Sequence, residues 1–271
     1  MTSTRARRSA LWVALTTALT ALAACTSSDS PAEEGRSAPA AVTAALRTVE
    51  RSTDRAESAR VRSTTTMGAS LSMKADGALA WSDGLTGTLK ITYTGGTTAE
   101  TMRRLGTTSM EARYLPDAYY ARLGETFAEK ADGKHWIRYV YDDLKNLAGG
   151  AGADLANQMR GNAPHTAVKL LLSSADVRKV GEETVRGVRA THYSGTVQAE
   201  GSGTQTVEIW VDDRNLLVKK VEKGRTATGG LTQTAYYGDY GVKVRVEKPP
   251  AGDTADFKEL LPIRGGLDGT S

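Results

Sequence analysis

Few residues in this chain could do covalent or acid–base chemistry: one cysteine, three histidines and two adjacent pairs of aspartates. A thiol acts as a nucleophile only when a neighbour lowers its pKa, and nothing near Cys25 in the sequence could do so. His135, His165 and His192 fall in different segments. With a single cysteine beside them, a structural zinc site is not expected. Asp142-Asp143 and Asp212-Asp213 are neighbours in sequence only; along a strand, adjacent side chains point to opposite faces, so each pair reads as a cap or a turn. There is no G-x-S-x-G elbow, no H-E-x-x-H and no Walker loop. Gly149-Gly150-Ala151-Gly152 lacks the following lysine of a phosphate cradle and reads as a helix break. The sequence therefore predicts no catalytic site, no metal and no cofactor.

The cysteine has a different use. Arg5, Arg7 and Arg8 precede an apolar, small-residue run from Ala10 to Ala24. A positive head, a short apolar stretch and small residues at a cut site make an export signal. The run is too short and too rich in threonine for a membrane span, which needs about 20 mainly apolar residues. Its end, Leu22-Ala23-Ala24-Cys25, resembles the lipobox of bacterial lipoproteins. That resemblance implies a diacylglyceryl group on the Cys25 thiol and Cys25 as the first residue of the mature chain. An ordinary secretory signal with a chance cysteine is the alternative.

The net charge of +4 over 271 residues gives no basic face. Arg5, Arg7 and Arg8 supply most of it, so the mature part is near neutral and no nucleic-acid partner is expected. One cysteine cannot form an intramolecular disulfide. The core must hold by burial alone, which a chain of this size can manage.

These features sit on a simple framework. Residues 1–24 read as the signal peptide and residues 25–40 as a lipidated, flexible, Pro/Ser-rich tether. Residues 41–271 read as a single domain. Val42, Leu46, Val49 and Ala56 recur at helical spacing, predicting a first helix ending near Arg60. Strands follow with period-2 alternation, as in Leu89, Ile91 and Tyr93. They are predicted over Val61–Met67, Leu71–Trp81, Leu85–Thr94, Thr107–Tyr114, Tyr119–Leu123 and Lys134–Tyr139. Short helices are expected at Leu144–Leu147, Leu155–Met159 and Ala167–Leu172. A second series of strands runs over Val177–Val185, Val188–Val197, Thr204–Val211, Leu216–Val221 and Thr232–Val246. The last contains the cleanest alternation, Val242, Val244 and Val246 against Lys243, Arg245 and Glu247. The class is α+β: one strongly curved antiparallel sheet, a half-barrel, packed over helices.

The second half carries a succession of motifs. They are Gly187-Val188-Arg189-Ala190-Thr191-His192-Tyr193, Glu208-Ile209-Trp210-Val211-Asp212, Leu216-Leu217-Val218-Lys219-Lys220, Tyr237-Gly238-Asp239-Tyr240-Gly241 and Val246-Glu247-Lys248-Pro249-Pro250. This succession resembles the LppX/LprG-type actinobacterial lipoprotein family, whose fold is LolA-like. In the first motif the tyrosine stands two residues after Thr191, where the family pattern has three. The resemblance implies a protein on the extracytoplasmic face of the cell membrane, held by a lipid anchor and binding or carrying an acyl-chain lipid in an apolar cavity. Candidate lining residues are Met67, Leu71, Met73, Leu89, Ile91 and Met110 from strands, with Leu170 and Leu171 from the helical cover. Flexible thioethers suit varied acyl chains, and they also serve as ordinary core filler. The alternative is an envelope interaction or sensing lipoprotein with a filled core and a protein partner.

Overall fold

The computed structural model describes residues 40–145, 163–199, 203–226 and 229–264. Cys25, the expected signal and tether, the Leu155–Met159 helix and the Gly149–Gly152 run lie outside these residues.

Helix α1 (Ala40–Arg55) buries Leu46, Val49 and Thr53. It stops short of Arg60, which the spacing had placed in the helix. Glu57 takes a left-handed conformation at φ 59, and the chain is already extended at Ser58. Leu217 N–H donates to Thr53 Oγ1 at 3.3 Å, tying the helix to the sheet.

Twelve strands form one sheet: β1 (Ser58–Met67), β2 (Leu71–Ala80), β3 (Thr86–Gly95), β4 (Ser109–Tyr114), β5 (Ala118–Arg122), β6 (Trp136–Val140), β7 (Arg178–Val185), β8 (Val188–Ala199), β9 (Gly203–Val211), β10 (Leu217–Thr226), β11 (Gly229–Gly238) and β12 (Thr254–Asp256). Their order is β12-β6-β5-β4-β3-β2-β1-β11-β10-β9-β8-β7. The sheet is curved and open, with β7 and β12 as its edges. Neighbours are antiparallel except β12, which runs parallel to β6. This is the α+β half-barrel expected from the sequence.

Alternation decides the two faces. Ala59, Val61, Ala75, Leu79, Leu89, Ile91, Ala112, Val207, Ile209 and Ala235 face inward and join one core with Leu46 and Val49 of α1. Helix α5 (Pro164–Leu172) packs beside α1 and adds Ala167, Val168 and Leu171. The opposite, outer face carries a transverse row in continuous register: His192, Trp210, Lys219, Tyr236, Arg62, Asp76, Lys90, Glu111, Arg122 and Trp136. Within it His192 stacks on Trp210 at 4.1 Å, Lys219 sits 3.6 Å over the Trp210 ring, and Arg62 bonds Asp76 at 2.6 Å.

Two glycines let β2 and β3 approach under strong curvature. Gly77 stands opposite Leu89, and Gly87, at φ 153, opposite Leu79. A Cβ at Gly77 would lie 2.0 Å from the Thr88 carbonyl oxygen, and one at Gly87 2.3 Å from that of Ala78. Neither backbone atom can yield. Gly77→Ala is expected to lower stability by about 2–4 kcal/mol. Gly230→Ala, which meets nothing within 4 Å, is the control. Urea denaturation of the two variants checks the difference.

Several expectations need correction. Helices α2 (Gly96–Arg104) and α3 (Glu125–Ala128) interrupt the first series of strands. Gly96, at φ 82, turns the chain out of β3, and α2 buries Ala99 and Met102. Helix α4 (Tyr141–Lys145) begins directly after β6, three residues before the helix expected from Leu144. The strand expected over Thr232–Val246 ends at Gly238, because Asp239 (φ 46) and Gly241 (φ 79) reverse the chain. Val242, Val244 and Val246 remain half-buried in an extended segment outside the sheet. Arg113 Nη1 donates to the Glu247 carbonyl there at 2.8 Å. Helix α6 (Phe257–Arg264) then follows β12. The edge strand β7 is almost wholly exposed and has a register shift between Lys179 and Gly181.

Candidate functional site

The inner face is the place where most of the candidate residues meet. Leu89, Ile91 and Leu171 are buried members of the main core, and Met73, Met110 and Leu170 pack against it. Register makes the grouping specific. Ile91 stands opposite Met110 on one side and Ala75 on the other, while Met73 stands opposite Tyr93. Met67 and Leu71 pair with each other at the end of the β1–β2 hairpin, half-buried and outside this cluster. Leu171 is 0% exposed, so the Leu170-Leu171-Leu172 run lies on the sheet as a cover.

Beyond these residues the inner face is aromatic, which the sequence reading did not single out. Tyr114 and Tyr119 lie edge to face at 5.1 Å, Tyr119 and Tyr139 are 5.8 Å apart, and Tyr139 and Phe257 4.7 Å. Tyr93 donates its hydroxyl to the Met110 sulfur at 3.4 Å. Burial pushes the Tyr93, Tyr114 and Tyr119 hydroxyls up from their ordinary value, so this surface stays uncharged at neutral pH. The available signal was a tyrosine in each of three predicted strands, Tyr114, Tyr119 and Tyr139.

A buried ion pair is the polar feature of this face. Lys220, 6% exposed, stands opposite Ile209 and Ala235, and its ammonium lies 3.0 Å from Glu222. Burial works against the ammonium, but Glu222 outweighs it and the net shift is upward, so the charge persists. Strict alternation from Leu217 would have put Lys219 inward and Lys220 outward. A bulge between Leu217 and Lys219 exchanges them. Next to the pair in register, Gln233 donates its side-chain amide to Thr65 Oγ1 at 3.4 Å.

The histidines form no joint site. His135 lies between Asp253, at 2.7 Å, and Glu125, at 3.1 Å, and these hydrogen bonds raise its pKa. His165 is lowered by burial beside α1, and His192 sits on the outer face against Trp210. Among the described residues no group of three or more His, Cys, Asp or Glu could hold a metal ion. Asp212 is a turn former, as its doublet suggested: its carboxylate accepts from the N–H groups of Arg214 (3.0 Å) and Leu216 (2.8 Å).

An open, curved sheet with helices on one face and an apolar inner surface is the architecture of the LppX/LprG-type lipoproteins. The fold matches LprF from Mycobacterium bovis at a TM-score of 0.50 and 13% identity, over 78% of this chain and 98% of that one. It matches LppX from Mycobacterium tuberculosis at 0.52 and 16%, over 76% and 98%. The chain belongs to the same family as the candidate lipoprotein SCO4650 of Streptomyces coelicolor, to which it is 62% identical over 98% of its own length and 100% of that protein. It is also 47% identical, over 84% of its length and 83% of the relative, to a Streptomyces griseus 31.2 kDa protein of the rplA–rplJ intergenic region. No family model matches the chain.

Proposed function

We propose that this protein is anchored through a lipidated Cys25 to the extracytoplasmic face of the cell membrane and binds an acyl-chain lipid or related amphiphile between its inner sheet face and the covering helices. The observation that carries the reading is the composition of one face. Met73, Leu89, Ile91 and Met110 join a continuous apolar and tyrosine surface in one core with α1 and α5, and the Lys220–Glu222 pair interrupts it. Ligand sites combine an apolar lining with a few convergent polar groups, and methionine and tyrosine adapt to varied chains. Residues 1–24 serve as the signal, 25–40 as the tether and the rest as the carrier domain. Cys25 holds the anchor, and the lining is assigned to Met73, Leu89, Ile91, Met110, Leu170 and Leu171, with Met67 and Leu71 at its rim on the hairpin end. No catalytic step is part of the proposal.

A second reading, an envelope interaction protein with a filled core, is favoured by the tight burial of Leu89, Ile91 and Leu171. Native mass spectrometry of the purified chain separates the two. The carrier reading expects copurified lipid, lost in Leu89→Trp while the circular dichroism spectrum is kept. Ligand-free spectra, together with no uptake of a fluorescent fatty acid, would leave the filled-core reading in its place.

A further inference from the structure

The outer face carries a feature that the carrier function does not use. We infer that a groove across β1, β2 and β3, closed at one end by the β7–β8 turn, is a binding site for a phosphate ester. The groove holds about 350 Å³ and is lined by Arg62, Lys74, Lys90, Thr92, Arg186 and Tyr236. A second hollow of about 250 Å³ continues it past Arg186 and Tyr236. The floor consists of two adjacent cross-strand rows, Thr64–Lys74–Thr92 and Arg62–Asp76–Lys90.

The charge balance selects the ligand. The two carboxylates beside Lys90 in register, Asp76 and Glu111, are already held by Arg62 at 2.6 Å and Arg113 at 2.7 Å. Among the described residues no carboxylate pairs with Lys74, Lys90 or Arg186. Three unpaired cations thus converge on a space that also contains threonine hydroxyls, one aromatic ring and the Asp76 carboxylate, which Arg62 holds. An acyl chain gains nothing there. A tetrahedral phosphate offers several charged oxygens to a guanidinium fork and two ammonium groups, whereas a lone carboxylate satisfies one of them.

Arg186 supplies an independent argument. Its guanidinium is fixed 3.6 Å over the Tyr236 ring. The residue itself sits at φ 50, with Gly187 at φ 84, in the two-residue turn between β7 and β8. Such a turn favours asparagine or glycine at its first central position. An arginine there gives up backbone energy, and what it provides in return is a pre-positioned cation at the mouth of the groove.

The turn also supplies the test. Arg186→Asn suits the turn better, and Lys74→Thr extends a threonine row on a strand, so the double variant should melt no lower than the parent. Two probes are used with the full chain: glycerol phosphate in solution, followed by calorimetry, and vesicles of phosphatidylglycerol against phosphatidylcholine, followed by cosedimentation. The parent is expected to bind at least one anionic probe saturably, more weakly as salt rises. The double variant should bind it at least tenfold more weakly. Binding of glycerol phosphate identifies a free phosphate ester as sufficient; a difference confined to phosphatidylglycerol vesicles identifies a lipid headgroup. The N-terminal segment is common to parent and variant and cancels in that comparison. Failure of the parent to bind either anionic probe, or equal binding by the double variant, overturns the assignment. Neither outcome bears on the inner-face site.

Discussion

Ile209→Asp should unfold the protein or nearly so. Ile209 is 0% exposed in β9, opposite Tyr193 on one side and Lys220 on the other. A carboxylate placed there would share Lys220 with Glu222, which holds it at 3.0 Å, leaving two anions against one buried cation. Burying an unpaired charge and losing the side chain together cost roughly 5 kcal/mol, comparable with the whole stability of a domain. The adjacent change Glu208→Lys should be far milder, roughly 1–2 kcal/mol. Glu208 is on the outer face but not idle: it pairs with Lys223 at 3.0 Å and lies near His192. Denaturant titration of both variants is the measurement, and equal losses would contradict the register.

The other large effect concerns location. Cys25→Ser is expected to leave the fold intact and to move the protein from the membrane fraction to the medium, or to stall it as the uncut precursor. Two acyl chains anchor stably where one is marginal, at about 0.8 kcal/mol per buried CH₂. On the lipoprotein reading the thiol supplies essentially all of the attachment. Fractionation of the variant, with mass spectrometry of the parent's N-terminal peptide, checks this. An unmodified Cys25 in the parent would remove the lipoprotein reading. No helix among the described residues is long and apolar enough to cross a membrane.

Sequence alone carried the sheet further than the site. Alternation located β1 to β9 closely, with the starts of β10 and β11, and the inward position of Val207, Ile209 and Val211 followed from it, since one strand's parity is a local property. Three features were not local. Val242, Val244 and Val246 alternate as a strand does, yet pairing needs a partner edge, and here the turn at Asp239 carries them away from it. The exchange of Lys219 and Lys220 depends on one extra residue opposite β9, which leaves no mark on composition. Helix α2 was hidden behind Gly95-Gly96, a pair that reads as a loop; it also marks the start of a helix whose apolar Ala99 and Met102 are spaced three apart. Within the site, individual apolar residues were legible, but whether each faces a ligand or a neighbour is a question of the covering elements, which pleat and period do not address.

The bare margin at β7 has a consequence of its own. A half-barrel never closes, so it leaves backbone donors and acceptors open along both edges, of which β7 is the longer. Here that side is interrupted by the shift after Lys179 and fringed by Arg178, Lys179, Glu182, Glu183 and Arg189, with Glu182 bonded to both Lys179 and Arg189. Charges and an irregular ladder are what discourage a second chain from extending the sheet. Confinement to a surface raises local concentration and aligns molecules side by side, the conditions in which strand-to-strand stacking would otherwise begin. For a chain held by the proposed anchor, the guarded margin would let neighbours crowd in two dimensions and remain separate.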